Sequence, residues 1–85
     1  MPGTMFDYSV EAKRVVEALR KEFPTDTIDT SEGYNGRVHV KVVSRRFNGK
    51  SEAEKQDYIW NLLQDSLGEN AQAVSLALVY GTDEL

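Results

Sequence analysis

The feature that most constrains the fold is the stretch of residues 37–67, RVHVKVVSRRFNGKSEAEKQDYIWNLLQDSL. Its first eight residues alternate between apolar and polar side chains, which predicts a half-buried β-strand over residues 37–44. In that strand Val38, Val40 and Val42 share the face that turns toward the core, and the opposite face is polar. A basic, glycine-containing turn follows and leads directly into an amphipathic helix.

The helix after this turn has clear start and stop signals. Ser51 and Glu54 have the spacing of a capping box, in which the serine side chain and the glutamate side chain each satisfy one free backbone N–H. The apolar stripe runs through Tyr58, Ile59, Leu62, Leu63 and Leu67, and Gly68 predicts the end of the helix. A break near residues 55–56, which would give two short helices, is a possible variation.

The rest of the chain completes a small α+β domain. An apolar stripe predicts a first helix over residues 9–23, capped by Ser9 and ended by Pro24. Residues 26–31 predict a short strand, residues 32–36 a turn, and residues 71–80 a last strand. The predicted order is α-β-β-α-(α)-β. Its simplest packing is a three-stranded sheet with helices on one face.

Several smaller expectations concern exposure. The last strand is apolar on both faces, so we expect it to be central or covered. The tail, residues 81–85 (GTDEL), is polar and is expected to be frayed. Phe47 is expected to anchor the basic turn to the core. Tyr34 is either a lid over the sheet edge or a contact residue, and Trp60 either covers a second groove or is a half-exposed contact residue.

Length and composition limit what the chain can do. Its 85 residues predict one domain, residues 1–85, with no room for both a core and a deep enclosed active site. The absence of cysteine excludes disulfides, thiolate metal sites and a cysteine nucleophile, and it agrees with a reducing cytosol. The first residues lack the pattern of a signal peptide, and no apolar run could span a bilayer. We therefore expect a cytoplasmic protein without a membrane partner.

The charge distribution is uneven along the chain. The chain carries a net charge of −4, yet residues 37–55 hold six basic and two acidic side chains, a local net charge of +4. We call residues 37–55 the basic island. It is either an ordinary solvated strand and turn or a surface that binds an anion or a partner. The basic side chains are Arg37, Lys41, Arg45, Arg46, Lys50 and Lys55.

No pattern in the sequence indicates an enzyme. The NGKS segment at residues 48–51 lacks the upstream glycine of a phosphate-binding loop. Glu52 and Glu54 are explained by favourable charge at a helix start. The only histidine is His39, which is either a surface residue or a metal ligand or anion contact, with no second histidine to help it bind a metal.

Four short motifs occur along the chain: VVS at residues 42–44, FNGKS at residues 47–51, KQ at residues 55–56 and AVSL at residues 73–76. Together they resemble the BolA family of small stress-induced morphogens. The resemblance covers nearly the whole chain. It implies an α-β-β-α-α-β fold similar to the type II KH domain, which agrees with the order predicted from the residues.

The resemblance also implies a role without catalysis. BolA-like proteins pair with monothiol glutaredoxins and can share a [2Fe–2S] cluster with them. This chain departs from the family at the histidine positions, where it has Arg37, Gln56 and Gln72. A glutamine offers a neutral amide rather than an imidazole, so cluster ligation by this chain is expected to be lost while the pairing surface is kept. The expected cofactor is therefore at most a cluster shared with the partner.

Three hypotheses follow from the sequence. The first is a docking module that binds a glutaredoxin-type partner through the basic face and the last strand, in iron–sulfur or redox-linked regulation. The second is a nucleic-acid-binding transcriptional regulator that uses the basic island, although residues 49–52 (GKSE) have a glutamate where a KH-type GXXG turn needs its second glycine. The third is an orphan domain whose family function has decayed. The expected contact residues are Arg37, His39, Lys41, Arg45, Arg46, Lys50 and Gln72.

Overall fold

Strand β2, Val38–Val43, lies at the centre of a three-stranded sheet in the computed structural model, which describes residues 6–85. Around it the chain forms α1 (Tyr8–Glu22), β1 (Thr27–Glu32), α2 (Glu52–Leu67) and β3 (Val74–Tyr80), joined by short 3-10 turns. The predicted α+β class and the order helix–strand–strand–helix–strand are confirmed. The signal-peptide expectation concerns in part residues 1–5, which lie outside the described residues.

The sheet is mixed. β1 pairs with β2 in antiparallel register, with Asp29 opposite Lys41, and β3 pairs with β2 in parallel register, with Leu78 opposite Lys41. The parallel pairing requires a crossover, and α2 provides it. The expectation that β3 is central or covered is wrong, because β3 is an edge strand and both helices lie on one face of the sheet.

The uncovered side of the sheet, which we call the open face, explains the apolar pattern of β3. Leu76 and Leu78 point to the open face and are 42% and 40% exposed, whereas Ala77 and Val79 are buried beneath the helices. The register with β2 shifts between Val38 and His39, so Val74 is buried at the core end of β3. The buried side of β3 therefore faces the helices, whereas Leu76 and Leu78 lie toward solvent.

The core lies between the helices and the covered face of the sheet. As predicted, Val38, Val40 and Val42 are buried, and they pack with apolar residues from both helices. Phe47 is 1% exposed and holds the basic turn against the core. Its ring lies 5.6 Å from the ring of Phe23, measured between centroids. The core members from the helices are Val15, Leu19, Ile59 and Leu63.

The helix boundaries follow from capping. α1 begins one residue earlier than predicted because Asp7, not Ser9, is its N-cap, and the Asp7 side chain accepts a hydrogen bond from the Ser9 N–H. The capping box of Ser51 and Glu54 is present at the start of α2. α2 runs without a break past residues 55–56, and Gly68 ends it with a φ of 57°.

The last part of the chain differs most from the sequence predictions. Residues 68–73 form a 3-10 turn, so the last strand begins at Val74 rather than at residue 71. The expectation that the tail is frayed is wrong. The tail folds into a short 3-10 turn and hydrogen-bonds to Asn48, Gly49 and Lys55. Within residues 6–85, neither helix has the length and apolarity needed to cross a membrane.

Candidate interaction site

A concave site lies where the end of α2, the 3-10 turn at residues 68–73 and the start of β2 meet. We call it the Arg37 cleft, and its volume is about 620 Å³. This volume is in the range of small-molecule and peptide sites. Its walls combine charged, amide, aromatic and small apolar side chains. The lining residues are Arg37, Trp60, Gln64, Gly68, Glu69, Ala71, Gln72 and Val74.

Arg37 is positioned by the tight turn between β1 and β2. Asn35 and Gly36 adopt positive φ angles of 58° and 77°, and the Arg37 N–H donates to the carbonyl oxygen of Tyr34 at 3.1 Å. The guanidinium carbon of Arg37 lies 5.4 Å from the centroid of the Phe6 ring. Among residues 6–85 no carboxylate forms a salt bridge with Arg37, so its charge is available to a partner.

Trp60 is held in the cleft by two consecutive hydrogen bonds. Its Nε1–H donates to Gln56 Oε1 at 3.0 Å, and Gln56 Nε2–H donates to the carbonyl oxygen of Ala77 at 2.9 Å. Gln56 therefore ties the indole ring to β3. Trp60 is half-buried and lines the cleft. This arrangement agrees with the half-exposed alternative from the sequence and gives the cleft a rigid aromatic wall.

Gln72 reaches the cleft from the 3-10 turn that precedes β3. It is exposed and lies on the same cleft as Arg37, although the two residues are far apart in the sequence. Glu69 is the one acidic side chain of the cleft. The structure thus brings together two of the seven predicted contact residues, Arg37 and Gln72, beside Trp60.

His39 and Lys41 lie elsewhere, on the open face. Cross-strand pairing forms one row of Ser31, His39 and Leu76 and a second row of Asp29, Lys41 and Leu78. These rows line a shallow groove of about 230 Å³. His39 is half-buried and packs so closely on Gly33 that a Cβ there would lie 2.6 Å from His39 Nε2. Within the part of the chain that is described, no three His, Cys, Asp or Glu side chains could hold a metal ion together.

The other basic residues lie beyond the opposite end of β2. Six strand residues span roughly 20 Å, so Arg37 and Arg45 are well separated. Arg46 is packed between aromatic rings, with its guanidinium carbon 4.8 Å from the Phe23 centroid and 5.3 Å from the Tyr58 centroid. It donates to the Glu22 carbonyl oxygen at 3.0 Å and to the Tyr58 hydroxyl. Arg46 is exposed but engaged by these contacts, so it has a structural role, whereas Arg45 and Lys50 are exposed and form no salt bridge within residues 6–85.

Lys55 belongs to the basic island but is not available for contact with a partner. Its side chain is 2% exposed, and its Nζ lies 2.7 Å from Glu84 Oε1 and 3.3 Å from Glu52 Oε1. The hydrogen bond from Lys55 holds the pKa of the Glu84 carboxyl below its ordinary value, and the same bond raises the pKa of Lys55. Burial raises the pKa of the Tyr58 hydroxyl. The basic island is thus divided into an Arg37 end, a Lys41 face and a turn.

Sequence reasoning missed two features of these surfaces, the polar residues Gln64 and Glu69 of the cleft and the contacts of the tail. In the sequence, Gln64 and Glu69 look like ordinary polar residues near the end of a helix, and nothing indicates a binding role. The tail carried only a polarity signal, which does not reveal that its acids have partners. Tyr34 is 82% exposed, so it does not act as a lid, and its role as a contact residue remains a prediction.

The Arg37 cleft can bind by pairing a guanidinium with an anion, by stacking on an indole, and by amide hydrogen bonds from Gln64 and Gln72. Aromatic and arginine side chains are the residue types that contribute most at protein interfaces. Comparison with protein-family models, with curated proteins and with solved structures found no match to this chain.

Proposed function

We propose that this chain is a non-enzymatic, BolA-like interaction protein that docks a monothiol glutaredoxin-type partner through the Arg37 cleft. The observation that carries the proposal is that Arg37 and Gln72 line one cleft beside Trp60. In the resemblance, both positions correspond to histidines of the family. The two positions are distant in sequence, yet they lie on one surface. This supports a common docking site.

The donor set of the cleft does not fit an iron–sulfur cluster. Arg37 is always protonated and cannot ligate iron, and Gln72 offers only a neutral amide. His39 is not among the residues that line the cleft. The proposed docking therefore keeps the partner surface without a ligand from this chain, and any [2Fe–2S] cluster remains with the partner. The proposed setting is iron–sulfur or redox-linked regulation in the cytoplasm.

The cleft also suits a protein partner physically. Arg37 is supported by the Phe6 ring and Trp60 is fixed by Gln56, so little side-chain entropy is lost on binding. Tyr34 lies on the turn directly before Arg37 and is exposed. Arg37 and Trp60 line the cleft, and arginine and tryptophan are among the residue types that contribute most to binding energy.

The test is an NMR titration of the isotope-labelled chain with a monothiol glutaredoxin, first without and then with its [2Fe–2S] cluster. We expect shifts at the Arg37 and Gln72 amides and at the Trp60 indole N–H, with an unchanged cluster absorption spectrum. A changed cluster spectrum would show that a residue of this chain ligates the cluster. If neither form of the glutaredoxin causes shifts, the proposal of a glutaredoxin-type partner is wrong.

Two sets of variants sharpen this test. Arg37→Glu should abolish the shifts, and Arg45→Glu, which makes the same charge change at the other end of β2, should preserve them. The double substitution Arg37→His with Gln72→His restores imidazoles at the two family positions. It should change the spectrum of the partner's cluster on mixing, whereas the unmodified chain should not.

Nucleic-acid binding is the second candidate function. It is favoured by the exposed Arg45 and Lys50 at the turn and by Lys41 on the open face. Binding by phosphate contacts would weaken steeply with salt. Arg45→Glu together with Lys50→Glu should abolish it without disturbing the packed Arg46. If no short DNA or RNA binds even at low salt, this candidate fails.

A further inference from the structure

The Arg37 cleft brings four kinds of chemical group to the walls of one cavity of about 620 Å³. They are a guanidinium, an indole, two carboxamides and a carboxylate, and they belong to Arg37, Trp60, Gln64, Gln72 and Glu69. A cavity of this size accepts a small organic ligand. The question is therefore which small molecule has parts that match all of these groups.

The indole of Trp60 is a fixed platform for a planar ring. Its Nε1–H donates to Gln56 Oε1 at 3.0 Å, and Gln56 Nε2–H donates in turn to the carbonyl oxygen of Ala77 at 2.9 Å. Because the one polar group of the indole already has a partner, Trp60 offers the cleft aromatic surface rather than a hydrogen bond. Nucleobases gain by stacking on such surfaces, since every base has a π-face.

Arg37 supplies a contact for one anionic group. It is exposed, and among residues 6–85 no carboxylate forms a salt bridge with it. A guanidinium binds a phosphate through two parallel hydrogen bonds. Arg37 is the one cation among the described residues that line the cleft, and Glu69 is an acid of the same cleft. A single phosphate therefore suits the cleft better than a chain of phosphates, which would bring more negative charge toward Glu69.

The remaining polar groups match the edge of a base and a sugar. Gln64 and Gln72 are exposed, so their carboxamides are accessible to a ligand. A glutamine carboxamide pairs with the N6 and N7 edge of adenine, because it has one donor and one acceptor side. The Glu69 carboxylate can accept hydrogen bonds from ribose hydroxyls, which is how acidic residues hold the ribose in dinucleotide-binding folds.

We propose that the Arg37 cleft binds an adenine nucleoside monophosphate, with the base stacked on Trp60 and the phosphate paired with Arg37. Gln72 or Gln64 pairs with the edge of the base, and Glu69 binds the ribose. The nucleotide occupies the cleft that the proposed function assigns to partner docking. Competition between the nucleotide and the partner therefore rests on that function, whereas binding of the nucleotide to the chain alone does not.

The first experiment measures the binding of adenosine monophosphate (AMP) and of adenosine to the chain alone. Trp60 is the only tryptophan, so quenching of its fluorescence by a stacked base reports on the cleft. AMP should bind about tenfold more tightly than adenosine, because its phosphate adds charge-assisted hydrogen bonds with Arg37. Guanosine monophosphate should bind more weakly than AMP, because one carboxamide satisfies the donor and acceptor of adenine but not the two acceptors of guanine.

Variants separate the phosphate contact from the stacking contact. Arg37→Glu should remove the advantage of AMP over adenosine and leave adenosine binding unchanged. Arg45→Glu, which makes the same charge change beyond the opposite end of β2, should keep that advantage. Trp60→Leu should weaken AMP and adenosine by the same factor, measured by the NMR shift of the Gln72 amide. Arg37→Gln, which removes the charge alone, replaces Arg37→Glu if the NMR spectrum shows that the glutamate variant is unfolded.

Three results would overturn the nucleotide site. They are equal binding of AMP and adenosine by the unmodified chain, an advantage of AMP that survives in Arg37→Glu, and no quenching of Trp60 up to about 10 mM AMP, a concentration that would half-fill even a very weak site.

A last titration adds AMP to the chain mixed with the monothiol glutaredoxin and so separates the two proposals. Displacement of the glutaredoxin supports both. If AMP binds and the glutaredoxin does not, or if AMP binds without displacing it, docking through the cleft is wrong and the nucleotide site stands. If the glutaredoxin binds and AMP does not, the nucleotide site is wrong and docking stands.

Discussion

Lys55 Nζ lies 2.7 Å from Glu84 Oε1. This contact joins a residue of α2 to the tail. Glu84 Oε1 also accepts from the Gly81 N–H at 2.7 Å. Lys55 is 2% exposed, and a buried ammonium group needs a partner because it has lost its water. The tail therefore completes the structure around α2.

Stability should fall at acidic pH because of two glutamates. Hydrogen bonds from Lys55 to Glu84, and from the Ser51 N–H to Glu54, hold both pKa values below the ordinary value of 4.5. A carboxyl whose pKa is lower in the folded state stabilises the fold above its unfolded pKa and stops doing so as pH falls through its folded pKa. Urea unfolding at a series of pH values measures this. The contribution of both residues to the free energy of unfolding should be constant above about pH 5.5 and should decline below about pH 4.5.

The variants Glu84→Gln and Glu54→Gln should each make this acid decline shallower. The double variant should be shallower still, because the two sites have different partners. A double variant with the same pH slope as the unmodified chain would contradict this assignment.

Arg46 and Arg45 are adjacent in sequence but should differ in their effect on stability. Arg46→Ala removes the guanidinium that packs on Phe23 and Tyr58 and should lower the free energy of unfolding by about 1 kcal/mol. Arg45→Ala changes an exposed side chain and should change it by less than about 0.5 kcal/mol. Urea denaturation of the two variants measures this, and equal losses would show that Arg46 is not held by the rings.

Leu63 and Leu78 test which face of the sheet is covered. Leu63 is 0% exposed and Leu78 is 40% exposed. Leu63→Ala leaves a cavity in the core and should cost about 2–5 kcal/mol, whereas Leu78→Ala should cost less than about 1 kcal/mol. A large loss for Leu78→Ala would mean that the open face is covered in solution.

Gly36 and Gly49 share nearly the same φ but differ in their surroundings. A Cβ at Gly49 meets open space, so Gly49→Ala should cost only the strain of a positive φ, about 1–2 kcal/mol. A Cβ at Gly36 collides with the backbone carbonyl of Phe6, so Gly36→Ala should cost clearly more. Thermal unfolding compares the two, and the opposite ranking would contradict the position of Phe6 on the turn.

The local elements could be predicted from the sequence because their signals are local. Alternating valines determine which face of β2 is buried, and the capping box of Ser51 and Glu54 determines the start of α2. The same signals gave the order of elements and the α+β class. Boundaries shifted by one residue where Asp7 replaced Ser9 as the cap, since both residues are good N-caps and the sequence alone does not rank them.

The sites could be predicted only in part. Arg37 and Gln72 were both expected contact residues, but their shared cleft depends on the crossover that brings the 3-10 turn before β3 beside the start of β2. Arg46 and Lys55 looked like members of one basic surface, although the fold places one between aromatic rings and buries the other. A sequence shows which residues are charged, but it does not show which groups of the folded chain each charge contacts.

The sequence by itself therefore determined the elements, their order and the buried face of β2, because these depend on neighbours within a few residues. Only the tertiary structure decided that β3 is an edge strand, that Leu76 and Leu78 are exposed, and that the tail is bound. These features depend on long-range pairing. An apolar strand has the same sequence pattern at the edge of a sheet as at its centre. The side chains of Asp83 and Glu84 become fixed only when the fold brings Gly49 and Lys55 beside them.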